Sequence, residues 1–470
     1  LVFGPRGGGI YYWDASIGYS PISVTITIDT PALVTSTEPI PEGEPIRLTT
    51  TGALPTGLTV GTLYYAINST GTTFNLATSP TGAPIDTSGS QSGDHSIIPR
   101  AELLSNYAGA SDVPIVQNYL LVSDISRFVF AFGTNDIGST VQDPMSIRWS
   151  DQEDALEWTP AATNQAGSLR LSRGSEIVTA IQSRQEVLVW TDTAVYALQY
   201  VGAPAVWGAQ LVGENISIMS QNSVAYANGV AYWMGFEKFY KYDGRAQTLR
   251  CDLRQYIFND INQLQVDQIF AGTNEAFNEI WWFYCSSGSN EIDRYVVYNY
   301  LEDIWYYGTM ARTAWLDLGI RPYPLAATYQ NNLVSHELGN DDQVGVDPLP
   351  ITAYITSSEF DLDDGHTFAF VWRVLPDITF RGSNVTNPQA TMYLLPLQNS
   401  GSGYNNPASV GGTNNATITR TATLPVEQFT GQIFTRVRGR QMAMKIESTG
   451  LGVAWQLGAP RLDLRSDGRR

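Results

Sequence analysis

The chain has 470 residues, long enough for two to four domains with a sizeable core. Its 43% hydrophobic and 11% aromatic content argues against disorder. Only 15% of residues are charged, and the abundance of Gly, Thr, Ser, Asn and Tyr suits a turn-rich all-β protein. A net charge of −18, with 45 acidic against 27 basic residues, argues against a surface that grips duplex DNA as a whole, since phosphate binding needs clustered Lys and Arg.

The chain opens in what reads as a strand, GGGIYYWDAS, and further residues upstream of Leu1 are expected. Residues 1–29 are assigned to the first strands of a repeated β architecture. Residues 30–98 differ: Thr, Gly, Pro and Ser dominate, short strands such as TLYYAIN and TFNLATS are parted by turn signals, and Arg47 is the single base against Glu38, Glu42, Glu44, Asp86 and Asp94. Strand-like sequence on both sides predicts a small inserted β module.

From 99 to 349 the hairpins repeat. EVLVWTDTAVYALQYVG alternates apolar and polar positions around Trp190 and breaks at Thr191–Thr193; NGVAYWMGFEKFYKYDG ends in an Asp-Gly turn. Trp149, Trp190, Trp233 and Trp281 recur at intervals of 41, 43 and 48 residues. Units of about 40–50 residues with several strands each are the signature of propeller blades. The four tryptophans are expected to fill the space between blades. One helix is predicted near 251–264, with Leu253, Tyr256, Ile257, Asp260, Ile261 and Leu264 on one face. Cys251, within it, and Cys285, ending a strand, are expected to be reduced and buried.

Beyond residue 350, FAFVWRVLPDITF, ATMYLLPLQ, ATITRTATL and MAMKIEST predict longer strands of a β-sandwich-like domain, 350–470. Its end is basic, with eight Lys or Arg against three acids from Arg436 onward. Arg436, Arg438 and Arg440 are therefore candidate contacts between identical subunits; a solvated tail is the competing reading. The predicted fold class is all-β: a β-propeller with an inserted small β module and a C-terminal sandwich-like domain.

Catalytic constellations are missing from the sequence. His95, His336 and His366 sit in Gly- or Asp-rich loops outside any nucleophile–base motif. The run around Asp361, Asp363 and Asp364 lacks EF-hand spacing and reads as a turn into a strand. GPRGGG lacks the Lys-Ser or Lys-Thr of a P-loop, and neither CxxC nor HExxH occurs. No catalytic residue, metal or cofactor is expected, and no apolar run reaches the ~18 residues of a membrane span.

VSDISRFVFAFGTN (122–135), IRWSDQEDALEWTP (147–160) and SEIVTAIQSRQEVLVWTDTAVYALQYVG resemble, in that order, the tail hub or tail nozzle (packaged-DNA stabilisation) proteins of short-tailed bacteriophages. YWMGFEKFYKYDG, the segment ending YIFNDIN, and RGRQMAMKIESTG with WQLGAPRLDLRSDGRR continue the likeness. It covers most of 100–470 and leaves out the 30–98 insert. The resemblance implies a structural, non-enzymatic homo-hexamer in the virion, assembled in the host cytoplasm. Such a tube sits below a portal and adaptor ring, anchors fibres or spikes, retains genomic double-stranded DNA, and conducts it during ejection without specific binding. The alternatives are a receptor- or glycan-binding propeller and, further off, a hydrolytic one.

Overall fold

The structure, a computed structural model, describes residues 1–13, 20–98, 101–319, 321–343, 345–397 and 421–469. It is all-β. Between residues 1 and 335 the strands form six small antiparallel sheets and one closed barrel.

Sheet 1 has three strands, Val2–Phe3, Tyr11–Tyr12 and Glu102–Leu103. Sheets 2 to 5 have four each, laid side by side in chain order. Sheet 2 comprises Tyr119–Val122, Val129–Phe132, Ser146–Trp149 and Gly167–Arg170. Sheet 3 comprises Ile177–Gln182, Glu186–Thr191, Ala194–Gly202 and Val206–Glu214. Sheet 4 comprises Val224–Ala227, Val230–Met234, Phe239–Tyr242 and Ala246–Leu249. Sheet 5 comprises Phe270–Asn274, Glu279–Tyr284, Arg294–Asn299 and Ile304–Thr309. Sheet 6 has three strands, Ala314–Leu316, Leu325–Ala327 and Leu333–Ser335.

Local chemistry sets the turns. In sheet 4 Asn228 and Gly229, both at positive φ, join Ala227 directly to Val230, the conformation that a two-residue hairpin requires. In sheet 3 the Thr191 hydroxyl accepts a 2.9 Å bond from the Ala194 amide, which closes the break between Trp190 and its partner Val195.

Each sheet packs face to face on the next. Phe130 and Trp149 of sheet 2 meet Ile177, Val187 and Tyr196 of sheet 3. Leu188 and Trp190 of sheet 3 meet Trp233 and Tyr240 of sheet 4. Met234 and Phe239 of sheet 4 meet Ile280 and Trp282 of sheet 5. Trp281 and Phe283 of sheet 5 meet Trp315 of sheet 6. The second strands of sheets 2 to 5 are therefore covered on both faces, and Glu279–Tyr284 is buried throughout; such strands read as apolar runs rather than alternating ones. Fourth strands such as Gly167–Arg170 alternate with solvent.

The barrel interrupts sheet 1 between Tyr11–Tyr12 and Glu102–Leu103, which pair with each other. Its strands close in the order Ile22–Ile26, Val34–Ile40, Gly71–Ala77, Leu63–Ile67, Pro45–Thr50, His95–Ile97. It starts eight residues before the predicted boundary at 30, because Ile22, Val24 and Ile26 complete the core around Val34, Leu48 and Phe74. Arg47 is not a solvated charge. Its guanidinium forms a forked pair with Glu102 of sheet 1, one arm at 3.1 Å, and ties the barrel to the sheet that carries it.

The predicted helix is shorter than its periodicity suggests. Only Arg254–Asp260 is α-helical; Ile261 turns extended, its amide bonding to the Ile257 carbonyl, and Asn262 caps a separate 3-10 turn. The Asn262 amide bonds to the Cys285 carbonyl instead of continuing the helix. Leu264, expected on the packed face, is consequently 90% exposed. Cys251 lies before the helix rather than in it, and the Tyr256 ring packs at a tilt against Tyr307 of sheet 5.

Residues 353–469 build two larger sheets across one core of Val371, Val374, Met392, Leu394, Met442 and Ile446, with a two-stranded ribbon of Ile378–Thr379 and Gln456–Leu457 against the same core. One runs Ala353–Thr356, Gln441–Ser448, Gln389–Leu397, Ala422–Glu427. The other, the arginine sheet, runs Ile433–Gly439, Ala369–Leu375, Arg461–Ser466. The predicted strand ATITRTATL falls partly outside the described residues.

Candidate functional site

The first strands of sheets 2 to 6 converge on one cavity of about 290 Å³. Tyr119 comes from sheet 2, Ala180 and Ile181 from sheet 3, Asn222 and Val224 from sheet 4 and its entry, Phe270 from sheet 5, and Thr313 to Trp315 from sheet 6 and its entry. Three bonds hold the strands there. The Gln221 amide donates to the Asn118 carbonyl at 2.9 Å, joining the entries of sheets 4 and 2 across sheet 3. The Ala271 amide donates to the Asn222 carbonyl at 2.6 Å. The Trp315 indole donates to the Thr273 carbonyl at 2.7 Å.

The residues lining this cavity include no Asp, Glu, Lys, Arg or His. It can hold a small neutral polar molecule against Tyr119, Gln221, Asn222 and Trp315. Burial raises the pKa of the Tyr119 phenol, so it stays protonated at neutral pH.

Charged groups cluster instead between sheets 5 and 6. Buried Glu279 accepts bonds from the Tyr306 hydroxyl, from the Trp281 indole at 2.9 Å, and from the Asn274 amide at 3.4 Å. The same Asn274 nitrogen reaches Glu337 at 3.1 Å. Partial burial and then the Glu279 charge raise the pKa of Glu337, and burial with the Glu279 bond raises that of Tyr306. Two carboxylates thus share one amide: Glu279 is held by donors of sheet 5 itself, and the Asn274 bond to Glu337 ties the loop after Leu333–Ser335 to that sheet. The arrangement pins a loop and leaves no base facing the cavity.

Next to it, the His336 ring lies tilted against Trp315, centroids 4.6 Å apart, and accepts a 3.0 Å bond from Arg312 Nε. Burial, and secondarily the Arg312 charge, pushes its pKa down to about 4. The native imidazole is therefore neutral at pH 6.5, where an unfolded His begins to take up a proton. Stability from this group is present above about pH 6.5 and is lost as pH falls towards 4, by roughly 2–3 kcal/mol in all. His336→Gln, which does not titrate, is expected to flatten the fall in denaturation midpoint between pH 7 and pH 4.5. An unchanged slope would show that His336 is freely protonated in the fold.

The four tryptophans are all buried, but not in equivalent places. Trp190, Trp233 and Trp281 lie in second strands; Trp149 lies in a third strand, opposite Phe130. The second strand of sheet 2 is VFAF, so its aromatics are Phe130 and Phe132, and the 41-residue interval joins unlike positions. Trp282 escaped the sequence reading. Adjacent strand residues point to opposite faces, so Trp281 stacks on Trp315 towards sheet 6 while Trp282 stacks on Trp305 and meets Phe239 towards sheet 4. The doubled tryptophan was itself the available signal for a strand buried on both sides.

Of the three candidate contact arginines, two are used within the chain. Arg438 pairs with Asp467 at 2.6 Å and lies over Phe368; Arg440 donates to the carbonyls of Gly365, His366 and Arg469. Arg436 is exposed and has no bonding partner among the described residues. The thiols are free, and burial pushes Cys251 up to about 12 and Cys285 to about 11, so neither is a thiolate nucleophile at neutral pH. Among the described residues no group of three or more His, Cys, Asp or Glu could hold a metal ion, and no helix is long and apolar enough to cross a membrane.

No protein-family model and no curated protein matches the chain. Among solved structures, Kluyvelomyces marxianus Hsv2 overlaps 55% of this chain and 69% of its own at 8% identity and a TM-score of 0.30, a likeness too loose to bear on fold or function.

Proposed function

We propose that the six sheets close into a β-propeller and that the chain is a non-enzymatic tail nozzle or hub subunit of a short-tailed bacteriophage. Six copies would form a tube in the virion, below a portal and adaptor ring, that retains double-stranded DNA, carries fibres or spikes and conducts DNA at ejection. The observation that carries the mechanical reading is the convergence of five first strands on one cavity lined without a charged residue, while the carboxylates nearby accept bonds from the sheet itself, Glu337 from Asn274 and Glu279 from Trp281. Rigid rings need shape and packing rather than groups with tuned pKa values. The ordered resemblance of the segments across 100–470 supports the phage assignment. The acidic surplus supports a conduit, since a wall of net negative charge repels duplex DNA within about a Debye length, ~8 Å at physiological salt.

Sedimentation and native mass measurement test this. A closed hexamer that does not retain duplex DNA at physiological salt is expected; a monomer at all concentrations would contradict it. The aromatic and amide lining of the cavity favours one second reading, a glycan-binding propeller. Binding on a glycan array that is lost in Trp315→Ala would favour that reading over the conduit.

A further inference from the structure

The outward face of the arginine sheet gathers several arginines that have no carboxylate partner among the described residues. Val371, Val374 and Val437 point into the core, so their neighbours along the strands point out. The register sets Phe370 between Arg438 and Arg465, and Arg373 between Phe434 and Asp463. Arg465 lies over the Phe370 ring at 4.6 Å and Arg373 over Trp372 at 4.9 Å. Trp372 and Phe434 stack on each other while remaining 38% and 65% exposed.

Asp463 and Asp467 are taken by Arg373 and Arg438. Arg436, Arg461 and Arg465 have no carboxylate partner among the described residues, although acids outnumber bases 45 to 27 in the chain. Stacked guanidinium groups between exposed aromatics are pre-organised for a partner, and Arg with aromatic residues is what interface cores enrich. The barrel has the opposite imbalance. Its sole base, Arg47, is consumed by Glu102, whereas Glu38, Asp86 and Asp94 are exposed and make no ion pair among the described residues.

We infer that the arginine sheet of one copy docks on the acidic inserted barrel of a second copy. The inference rests on the assembly reading above and gives the insert, which lies outside the family resemblance, a role in it. Contact between two different surfaces is heterologous, the kind that closes rings. Opposite charge would set its orientation and encounter rate.

The test uses the full chain in four forms: wild type; Arg436→Glu, Arg461→Glu and Arg465→Glu together; Glu38→Lys, Asp86→Lys and Asp94→Lys together; and all six changes. Mass is followed by sedimentation at low and high salt, with melting temperature as a folding control. Each triple set is expected to weaken self-association at least roughly tenfold, and the six-fold charge swap to restore it. If the arginine set lowers the melting temperature, Arg436→Glu alone, at a residue without a bonding partner, replaces it. Wild-type rings that both triple sets still form would overturn the docking and leave the assembly reading standing. Dimers lost in both sets and regained in the swap would support the docking and overturn the ring. Association lost in the arginine set alone would overturn the barrel as the occupant. Duplex DNA binding lost in the arginine set without a change of mass would assign the face to nucleic acid instead. A wild-type monomer under every condition overturns both proposals.

Discussion

Asp112→Ala is expected to destabilise the protein by about 3–5 kcal/mol, because it leaves a fully buried guanidinium without its counter-charge. Arg148, on the third strand of sheet 2, is 0% exposed. Its Nη2 meets Asp112 Oδ2 at 2.9 Å, the Asp112 carbonyl at 2.6 Å and the Trp158 carbonyl at 3.4 Å, while Nη1 reaches the Asn135 carbonyl at 3.5 Å. One side chain thereby ties together three loops at the face that sheet 1 covers. Burial depresses the Arg148 pKa, opposed chiefly by Asp112 and further by Asp136, yet an arginine does not shed its proton. Unpaired, the charge would have to be tolerated in the core. Pairing Asp112→Ala with Arg148→Met removes the charge with its partner and is expected to recover a large part of the loss. Chemical denaturation of the two single variants and the double variant measures this. A single-variant loss below about 1 kcal/mol would mean that water reaches the guanidinium.

Trp190→Ala carries the second large effect, about 3–5 kcal/mol, from lost burial and the cavity left behind. Trp190 is fully buried and meets Trp233 edge to face at 5.2 Å, at the seam of sheets 3 and 4. Its indole nitrogen has no hydrogen-bond partner. Trp190→Phe removes that unsatisfied donor while keeping a ring in contact, so it is expected to cost well under half as much. Thermal unfolding of both variants separates the cases. Equal losses would show that the indole nitrogen is bonded, and an unchanged melting temperature for Trp190→Ala would show that the seam is open to water.

Much of this architecture was legible because strand hairpins carry local signals. Asn228–Gly229 and Asp243–Gly244 mark turns whose backbone requires positive φ, whereas the strand around Trp190, read as alternating, is buried from Val187 to Thr191 because sheets cover both of its faces. Non-local demands were harder to read. The helix around Tyr256 stops where the Asn262 amide finds the Cys285 carbonyl, a partner 23 positions away that no helical period reveals. The barrel's first strand lies before the change in composition, because Ile22, Val24 and Ile26 belong to its core whatever the residues between them.

The chemistry of sites followed the same division. The sequence singled out Arg47 as the lone base of an acidic segment, and that charge turned out to join the insert to sheet 1. It grouped Arg436 with Arg438 and Arg440 by proximity, whereas strand register gives Arg438 an aspartate and Arg440 three carbonyls. Truncation before Arg436 would also delete Gln441–Ser448, which pairs with strands on both sides in the larger C-terminal sheet. Point substitutions on the exposed face are therefore the sounder probe of assembly. His336, one loop residue among others in the sequence, is half-buried because sheet 6 folds it against Trp315.

Electron cryo-microscopy of the purified, assembled protein bears most directly on the mechanical reading. The expected image is a six-fold ring with an open bore, each subunit showing six sheets arranged around its own small cavity and a barrel projecting from the first of them. Particles without a bore, or a subunit whose first and sixth sheets stand apart rather than closing on each other, would contradict it.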